Sequence, residues 1–429
     1  MSSVIEITSL AYGGKGLGRI DGKVVFVPFT APGDVAEIEI TADKKGFSEG
    51  RVTNLITPSP LRVEPECQFY GRCGGCSLQH MSIDAQLEWK QRILDETLRR
   101  IGKLEGVEFD RPIASPSPFN YRSRARFHVD GGRAGFFEAG SHRVVDMDSC
   151  PLLDTRVNET FLDFKQSVLS VKVRPVIYSF EAGISEDDGR TVISILAAPS
   201  GGFDWVEFLK PVRHLKGFEV WVMKDRTRKG KFVRAEKDTR LVYTAGGVRF
   251  SAGISVFSQV NAAQNRAMVE KIAEFAMLSG KESVLDLYCG VGNLSLPAAK
   301  RAARVTGVES SGQAVQQARA NAQRNSIKNA VFHEGDAALW LKQNLKSLER
   351  DGFDVLILDP PRGGEPQIAE SLSTARPARI VYISCSPPTL ARDIRQLTGL
   401  GYIVSRAVLV DMFPQTYHIE SILGLELRS

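Results

Sequence analysis

The sequence predicts an α/β protein in three parts: a small N-terminal β-barrel, a mostly β middle, and a C-terminal open sheet of parallel strands. Three observations carry this. Residues 4 to 58 alternate apolar and polar side chains in short runs cut by glycine and proline. From Phe119 to Ala198 short strand-like runs recur between turns. Beyond residue 280, continuous apolar runs end in polar residues and alternate with helical stretches, the pattern of parallel strands buried on both faces. At 429 residues the chain exceeds one ordinary core, and the expected divisions are 1–59, 60–250 and 251–429.

Composition narrows the class. Hydrophobic content of 43% and charged content of 24% are those of a globular protein. No run approaches the roughly 18 apolar residues of a membrane helix. The first residues, MSSVIEITSL, lack the basic region and apolar core of a secretory signal, so the expectation is a cytoplasmic protein without a membrane. In a reducing compartment six cysteines are read as ligands, nucleophiles or filler rather than disulfides. The net charge of +5 is unevenly placed. Trp221 to Arg240 holds eight Lys/Arg against three Asp/Glu, and Arg122, Arg124 and Arg126 alternate beside Tyr121 and Phe127. Basic side chains interleaved with aromatics suit a phosphate backbone and stackable bases; the competing reading of each patch is a solvated strand face.

In chain order, the barrel strands are read at Val4–Ile7, Val24–Pro28, Val35–Ile40 and Gly50–Val52, with turns at Gly13-Gly14-Lys15-Gly16, Asp21-Gly22 and Pro32-Gly33-Asp34. The segment is slightly acidic, so any contact with a polyanion would come from one local face. Pro58-Ser59-Pro60 reads as a linker. Cys67, Cys73 and Cys76 then cluster among Gly71, Gly74 and Gly75, and Cys150, before Pro151, is the one cysteine left outside the C-terminal part to complete a set of four. Four thiolates fit an iron–sulfur cluster or structural zinc. Three close cysteines with one distant before proline are the more cluster-like pattern. The spacing is not the CxxxCxxC of radical enzymes. Gln86 to Ile101 has helical periodicity that Gly102 can end.

In the C-terminal part, Ser283–Tyr288 is a strand running into Cys289-Gly290-Val291-Gly292-Asn293 and a helix. Glycines in such a turn let a ligand approach the helix N-terminus. A second strand, Val305–Val308, ends in Glu309, 19 residues after Gly290, where a carboxylate accepts from ribose hydroxyls. Ala330–His333 leads to Asp336, and Phe353–Leu358 leads to Asp359-Pro360-Pro361-Arg362. Ile380–Ile383 then delivers Ser384-Cys385-Ser386 to a strand end stopped by two prolines. There Cys385 reads equally as a nucleophile and as a buried hydrophobe. Arg392 and Asp393 read as a helix-surface pair.

The turn at Gly290 resembles motif I of S-adenosylmethionine-dependent methyltransferases. Ser384–Asp393 (SCSPPTLARD), Phe413–Ser421 (FPQTYHIES) and Phe257–Asn261 (FSQVN) resemble the signatures of the RNA 5-methyluridine methyltransferases, and residues 13–34 resemble the TRAM domain. With cluster cysteines and a TRAM-like start, the chain looks most like the 23S ribosomal RNA branch; the transfer RNA branch usually lacks both. The resemblance implies a Rossmann-like methyltransferase domain behind an OB-like RNA-binding barrel. It implies S-adenosylmethionine held by Gln259, Tyr288, Gly290, Asn293, Glu309, Asp336 and Asp359, and a [4Fe-4S] cluster on Cys67, Cys73, Cys76 and Cys150. Cys385 would add to carbon 6 of a uridine flipped out of its stack, and Glu420, or alternatively His418, would remove the proton from carbon 5. Cys289 is the alternative nucleophile and reads as packing. DPP followed by an aromatic would suggest amino-group methylation; Arg362 in that place disfavours it. The expected partner is 23S ribosomal RNA, acted on by a monomer. Transfer RNA methylation, an RNA-binding assembly factor and a redox-regulated binding module are the competing readings.

Overall fold

The computed structural model describes residues 2–170, 176–199, 202–223 and 231–428. Strands β1 (Ser2–Leu10), β2 (Lys15–Ile20), β3 (Lys23–Pro28), β4 (Val35–Asp43) and β5 (Phe47–Thr57) close a barrel in the order β1-β2-β3-β5-β4. Its alternating apolar residues Ile5, Ile7, Val25, Val27, Ala36 and Ile38 fill the interior. The buried Asp34 carboxylate accepts from the backbone of Ala31 (2.6 Å) and Ser59 (2.8 Å) and pairs with Arg62 at 2.7 Å. These contacts fix the path by which the chain leaves the barrel. Helix α1 (Ile83–Arg100) follows, with Ser82 capping Ala85 N–H.

Next come β6 (Arg124–Asp130), β7 (Arg133–Phe137), β8 (Val144–Asp146), α2 (Thr155–Ser170), β9 (Ile177–Ile184), β10 (Thr191–Ala197), α3 (Trp205–Leu209), β11 (Leu215–Val222) and β12 (Lys231–Glu236). The strands form one sheet, β12-β11-β10-β9-β6-β7-β8. Helix α2 has no counterpart in the strand-only reading of this region. Val157, Phe161, Phe164 and Val168 recur at helical spacing and are all buried, and Phe161 stacks on Phe127 of β6 at 4.1 Å between ring centroids. Of the basic run Trp221–Arg240, residues 224–230 and the side chains of 231–236 lie outside the described residues.

After the hairpin β13 (Arg240–Ala245) and β14 (Val248–Gly253), the chain alternates helix and strand: α4 (Ala262–Phe275), β15 (Ser283–Leu287), α5 (Ser295–Ala299), β16 (Arg304–Glu309), α6 (Gly312–Arg324), β17 (Ala330–Glu334), α7 (Ala337–Asp351), β18 (Val355–Leu358), α8 (Ile368–Ser371), β19 (Arg379–Ser384), α9 (Pro387–Gly399), β20 (Tyr402–Val410) and β21 (Glu420–Leu427). The sheet order is β17-β16-β15-β18-β19-β21-β20, as expected of a Rossmann-like methyltransferase domain. Strands β15 to β19 are mutually parallel, whereas β21 runs antiparallel between β19 and β20. Strand order reverses on either side of β15, opening a crevice at the carboxyl ends of β15 and β18, where such sheets bind ligands.

Although α1 precedes the central sheet in sequence, it packs on α9, burying Leu94 and Leu98 against the cluster that contains Leu390, Ile394 and Leu397. Each such leucine contributes about 2 kcal/mol. On the same helix Lys90 Nζ donates to Asp411 Oδ1 at 2.7 Å and to the Phe413 carbonyl at 3.1 Å, with both charged side chains buried. Removing one partner leaves the other charge buried alone, a cost of about 3–5 kcal/mol. Asp411→Ala is therefore expected to lower stability by that amount in urea unfolding, and the volume-filling double change Lys90→Met with Asp411→Leu by much less.

Candidate active site

Ile380 to Ile383 are fully buried in β19 and end at Ser384, whose Oγ accepts from Ser386 N–H at 3.1 Å. This bond folds the chain into a turn that holds Cys385 half-buried at the start of α9, with Pro387 and Pro388 in the helix's first turn. Because β21 is antiparallel to β19, Ser421 lies opposite Ser384, and Glu420 stands at the same edge as Cys385. Glu420 is buried, and burial followed by the nearby Asp359 carboxylate holds its pKa well above the usual range. Burial raises Asp359 to about 7. Burial and then Glu420 push the Cys385 thiol up to about 11, against the opposing pull of the Arg362 guanidinium. Burial thus outweighs the helix N-terminus and Arg362, and the resting cysteine is a thiol. His418, 3.3 Å from Arg362, is pushed down to about 4 by burial and neighbouring cations, which makes it a weak base.

At the glycine turn, Tyr288 and Gly290 take φ of +66° and +55°, and a Cβ placed on Gly290 would meet nothing within 4 Å. That opening is a cradle for a ligand at the backbone. Glu309 faces it, accepting from Gly290 N–H at 3.2 Å and Ser311 N–H at 2.8 Å. Beneath lies Asp286, fully buried, one carboxylate oxygen without a hydrogen-bond partner, and raised to about 7 by burial and by the Asp359 and Glu309 charges. Three carboxyl groups converge where a cation with ribose hydroxyls would sit, which fits S-adenosylmethionine. Tyr288 donates its hydroxyl to Glu365. Cys289 is buried in the apolar core behind the turn.

Other residues of the set do different local work. Asn293 accepts from Tyr243 Oη (3.2 Å) and Asn265 Nδ2 (3.1 Å), and donates to Asn265 Oδ1 at 2.8 Å, bracing the turn from behind. Asp336 caps α7, accepting from Leu339 N–H at 2.9 Å. Gln259 lies on the loop into α4, beside Phe257, which is 73% exposed. That loop is held by Arg124, whose guanidinium donates to the carbonyls of Ile254 (2.9 Å), Val256 (2.7 Å) and Ser258 (3.1 Å). Asn261, the N-cap of α4, ties it to the 411–419 loop between β20 and β21 through Met412 O at 3.2 Å.

Two sequence expectations need correction here. Arg124 and Phe127 do not face solvent: Arg124 is buried under the 254–258 loop and Phe127 lies in the phenylalanine core, leaving Arg126 exposed on that strand. Arg392 and Asp393 are not a surface pair. Asp393 is fully buried and accepts from Tyr382 Oη and Glu365 N–H, both at 2.7 Å, while holding Arg392 at 2.6 Å. Asp286, Arg362 and Lys90 were not singled out as site residues; a charged residue inside the apolar strand SVLDL was the available signal for the first.

Cys67, Cys73, Cys76 and Cys150 line one cavity of about 510 Å³ between the 67–79 loop and the central sheet, together with Phe69, Gly74 and Leu153. A Cβ on Gly74 would meet the Phe137 and Ala139 backbone at 3.3 Å, so glycine permits the close wrap. Among the described residues, no three His, Cys, Asp or Glu side chains close to single-ion distances. Nor is any helix among them long and apolar enough to cross a membrane.

Residues 82–428 match the family model described as tRNA (Uracil-5-)-methyltransferase, and residues 4–53 match the TRAM domain. The chain is 36% identical to the 23S rRNA (uracil(1939)-C(5))-methyltransferase of Methylococcus capsulatus, over 98% of this chain and 96% of that protein. It is 34% identical to an uncharacterized RNA methyltransferase of Halalkalibacterium halodurans, over 100% and 98% respectively. The structure is similar to Pyrococcus abyssi tRNA (uracil-54, C5)-methyltransferase in complex with S-adenosyl-L-homocysteine, with TM-score 0.77, 28% identity, and coverage of 99% of this chain and 100% of that one.

Proposed function

The chain belongs to the RNA uracil-5-methyltransferase family and is an S-adenosylmethionine-dependent enzyme; from that premise we propose that it methylates carbon 5 of a uridine in 23S ribosomal RNA, with Cys385 as nucleophile and Glu420 as base. The observation that carries the mechanism is the pairing of Ser384 with Ser421, which sets Cys385 and Glu420 side by side at one sheet edge. Ribosomal RNA as substrate is supported by 23S rRNA enzymes of two organisms, 36% and 35% identical over nearly their full lengths.

Carbon 5 of uracil is too weak a nucleophile to take a methyl group unaided. Addition of the Cys385 thiolate to carbon 6 moves the ring's electron pair onto the carbon 4 oxygen and makes carbon 5 nucleophilic. S-adenosylmethionine, when bound, supplies the methyl group and a positive sulfonium. After transfer, Glu420 takes the carbon 5 proton, the 5,6 double bond re-forms, and the thiolate leaves. The Asp286, Glu309 and Asp359 carboxylates provide the negative surroundings that a cationic ligand requires, and Glu309 is the acceptor for ribose hydroxyls. Gln259 and Asp359 orient the uracil edge and the cofactor, while Tyr288, Asn293 and Asp336 shape the cofactor's turn and its adenine end. The target uridine must leave its stack to reach Cys385. We take the enzyme to act as a monomer, and ribosomal RNA as substrate supports a cytoplasmic enzyme. Residues 1–59 serve RNA binding, 60–250 carry the cysteine centre, and 251–429 carry the chemistry.

The cysteine cavity fits a [4Fe-4S] cluster better than zinc. Three cysteines close in sequence and a fourth distant before proline are the more cluster-like set, and all four line this one cavity. Bound there, a cluster would brace the Cys67–Cys76 loop against the central sheet. The decisive assay incubates the purified protein with 23S ribosomal RNA and, separately, transfer RNA. Mass spectrometry should find 5-methyluridine in the 23S RNA alone; product only in transfer RNA overturns the substrate. Iron and acid-labile sulfide should accompany the active protein, and stoichiometric zinc in their place would refute the cluster.

A further inference from the structure

The barrel does more than lie beside the catalytic domain. Its β1–β2 turn closes through Gly14 N–H to Ala11 O at 3.0 Å, with Gly13 and Gly14 at φ of +105° and +78°. A Cβ on Gly14 would stand 3.0 Å from both Ser77 Oγ and Tyr417 Cβ, so the turn is pressed between the cysteine loop and the 411–419 loop, the catalytic loop of the reading above. Within the turn, the Tyr12 ring meets Tyr417 edge-on, at 6.1 Å between centroids and 85° between planes. The Ser386 side chain and the Arg362 guanidinium lie near the Tyr12 hydroxyl. Ser386 directly follows Cys385 and is the N-cap of α9, yet it makes no side-chain capping bond to that helix. The residue is buried.

The same catalytic loop is tethered from α1 and its approach. Gln86 bonds Gln415 at 3.0 Å, and the Ser77 and Leu78 N–H groups donate to Gln415 O at 3.1 and 3.0 Å. Tyr12 supplies an independent brace from the barrel side.

We propose that Tyr12 is a positioning residue of the methylation site: its hydroxyl holds Ser386, and thereby the Cys385 turn, while its ring holds Tyr417. The inference rests on Cys385 being the nucleophile. It gives the barrel a part in the chemical step, beyond any part in RNA affinity. A phenol with an ordinary pKa of about 10 keeps its proton at neutral pH and can donate.

The test uses the full-length protein with its native metal content, and RNA carrying 5-fluorouridine at the target position. At saturating RNA, Tyr12→Phe should slow covalent adduct formation by about fivefold and Tyr12→Ala by about tenfold or more, the scale of one hydrogen bond and of that bond plus a ring contact. The KM for RNA should change less than kcat. Adduct formation at the wild-type rate in both variants, with only KM raised, would reduce Tyr12 to an RNA-binding residue and overturn the proposal. Should Tyr12→Ala fail to fold, Tyr12→Phe decides alone. A wild-type adduct that maps away from Cys385 sinks the underlying reading instead, and that result is obtained without any Tyr12 variant.

Discussion

Cys385→Ala should retain RNA and cofactor binding while losing methyl transfer by at least about 10⁴-fold, the scale on which essential nucleophiles are lost. The size of the effect follows from the reaction: without the sulfur, carbon 5 stays an unreactive vinylic carbon however well the methyl donor is placed. The pH dependence of the wild-type enzyme carries the same signature. The thiol is pushed up to about 11 by burial and by Glu420, so the thiolate fraction gains about tenfold for each pH unit below that value. Glu420, raised by burial and by Asp359, also reaches its working, deprotonated form only as pH increases. Both groups act in one direction. Initial-rate measurements should therefore show kcat/KM rising from neutral into alkaline pH. A flat profile, with the chemical step limiting, would mean that bound ligands lower the thiol pKa to below neutrality.

Glu420→Gln should produce a different failure. The thiol can still add and the methyl group can still transfer, but nothing removes the carbon 5 proton. The methylated RNA should stay attached to the protein. Turnover is expected to fall by about 10²–10⁴-fold, the usual contribution of a general base, while a denaturation-resistant protein–RNA complex accumulates on gels. His418→Asn should not trap RNA in this way, since burial and nearby cations keep that imidazole a weak base, with a pKa of about 4. Trapping by His418→Asn, with normal release by Glu420→Gln, would exchange the two roles.

Much of this site was legible in one dimension because a parallel sheet ends its strands at one edge. Each apolar run of the C-terminal part could be followed to the polar residue that closes it, which led to Glu309, Asp359 and Cys385. The glycine turn was legible because positive φ at Gly290 and Gly292 needs glycine. Glu420 was different. Nothing in the local pattern of FPQTYHIES tells that β21 reverses direction and slots between β19 and β20; its role came from resemblance. Burial was the least legible property. Arg124 and Asp393 stand in polar, helix- or strand-surface patterns and are buried because distant segments bring them carbonyls, a hydroxyl and an N–H. Helix α2 was missed because its phenylalanines suit a strand as well as a helix, and only the sheet they cover decides. Tyr12 lay in a glycine-rich turn whose sequence signals flexibility, and its contact with Tyr417 crosses nearly the whole chain.

The central claim is that one sulfur attacks one ring carbon, and trapping addresses it most directly. Fluorine on carbon 5 cannot leave as the proton does, so the enzyme, 5-fluorouridine RNA and S-adenosylmethionine should stop at the covalent stage. Tandem mass spectrometry of the digested complex is predicted to find the methylated fluoronucleotide on the peptide that contains Cys385. A nucleotide on Cys289, or turnover of RNA through a route that leaves no adduct at all, would contradict the account.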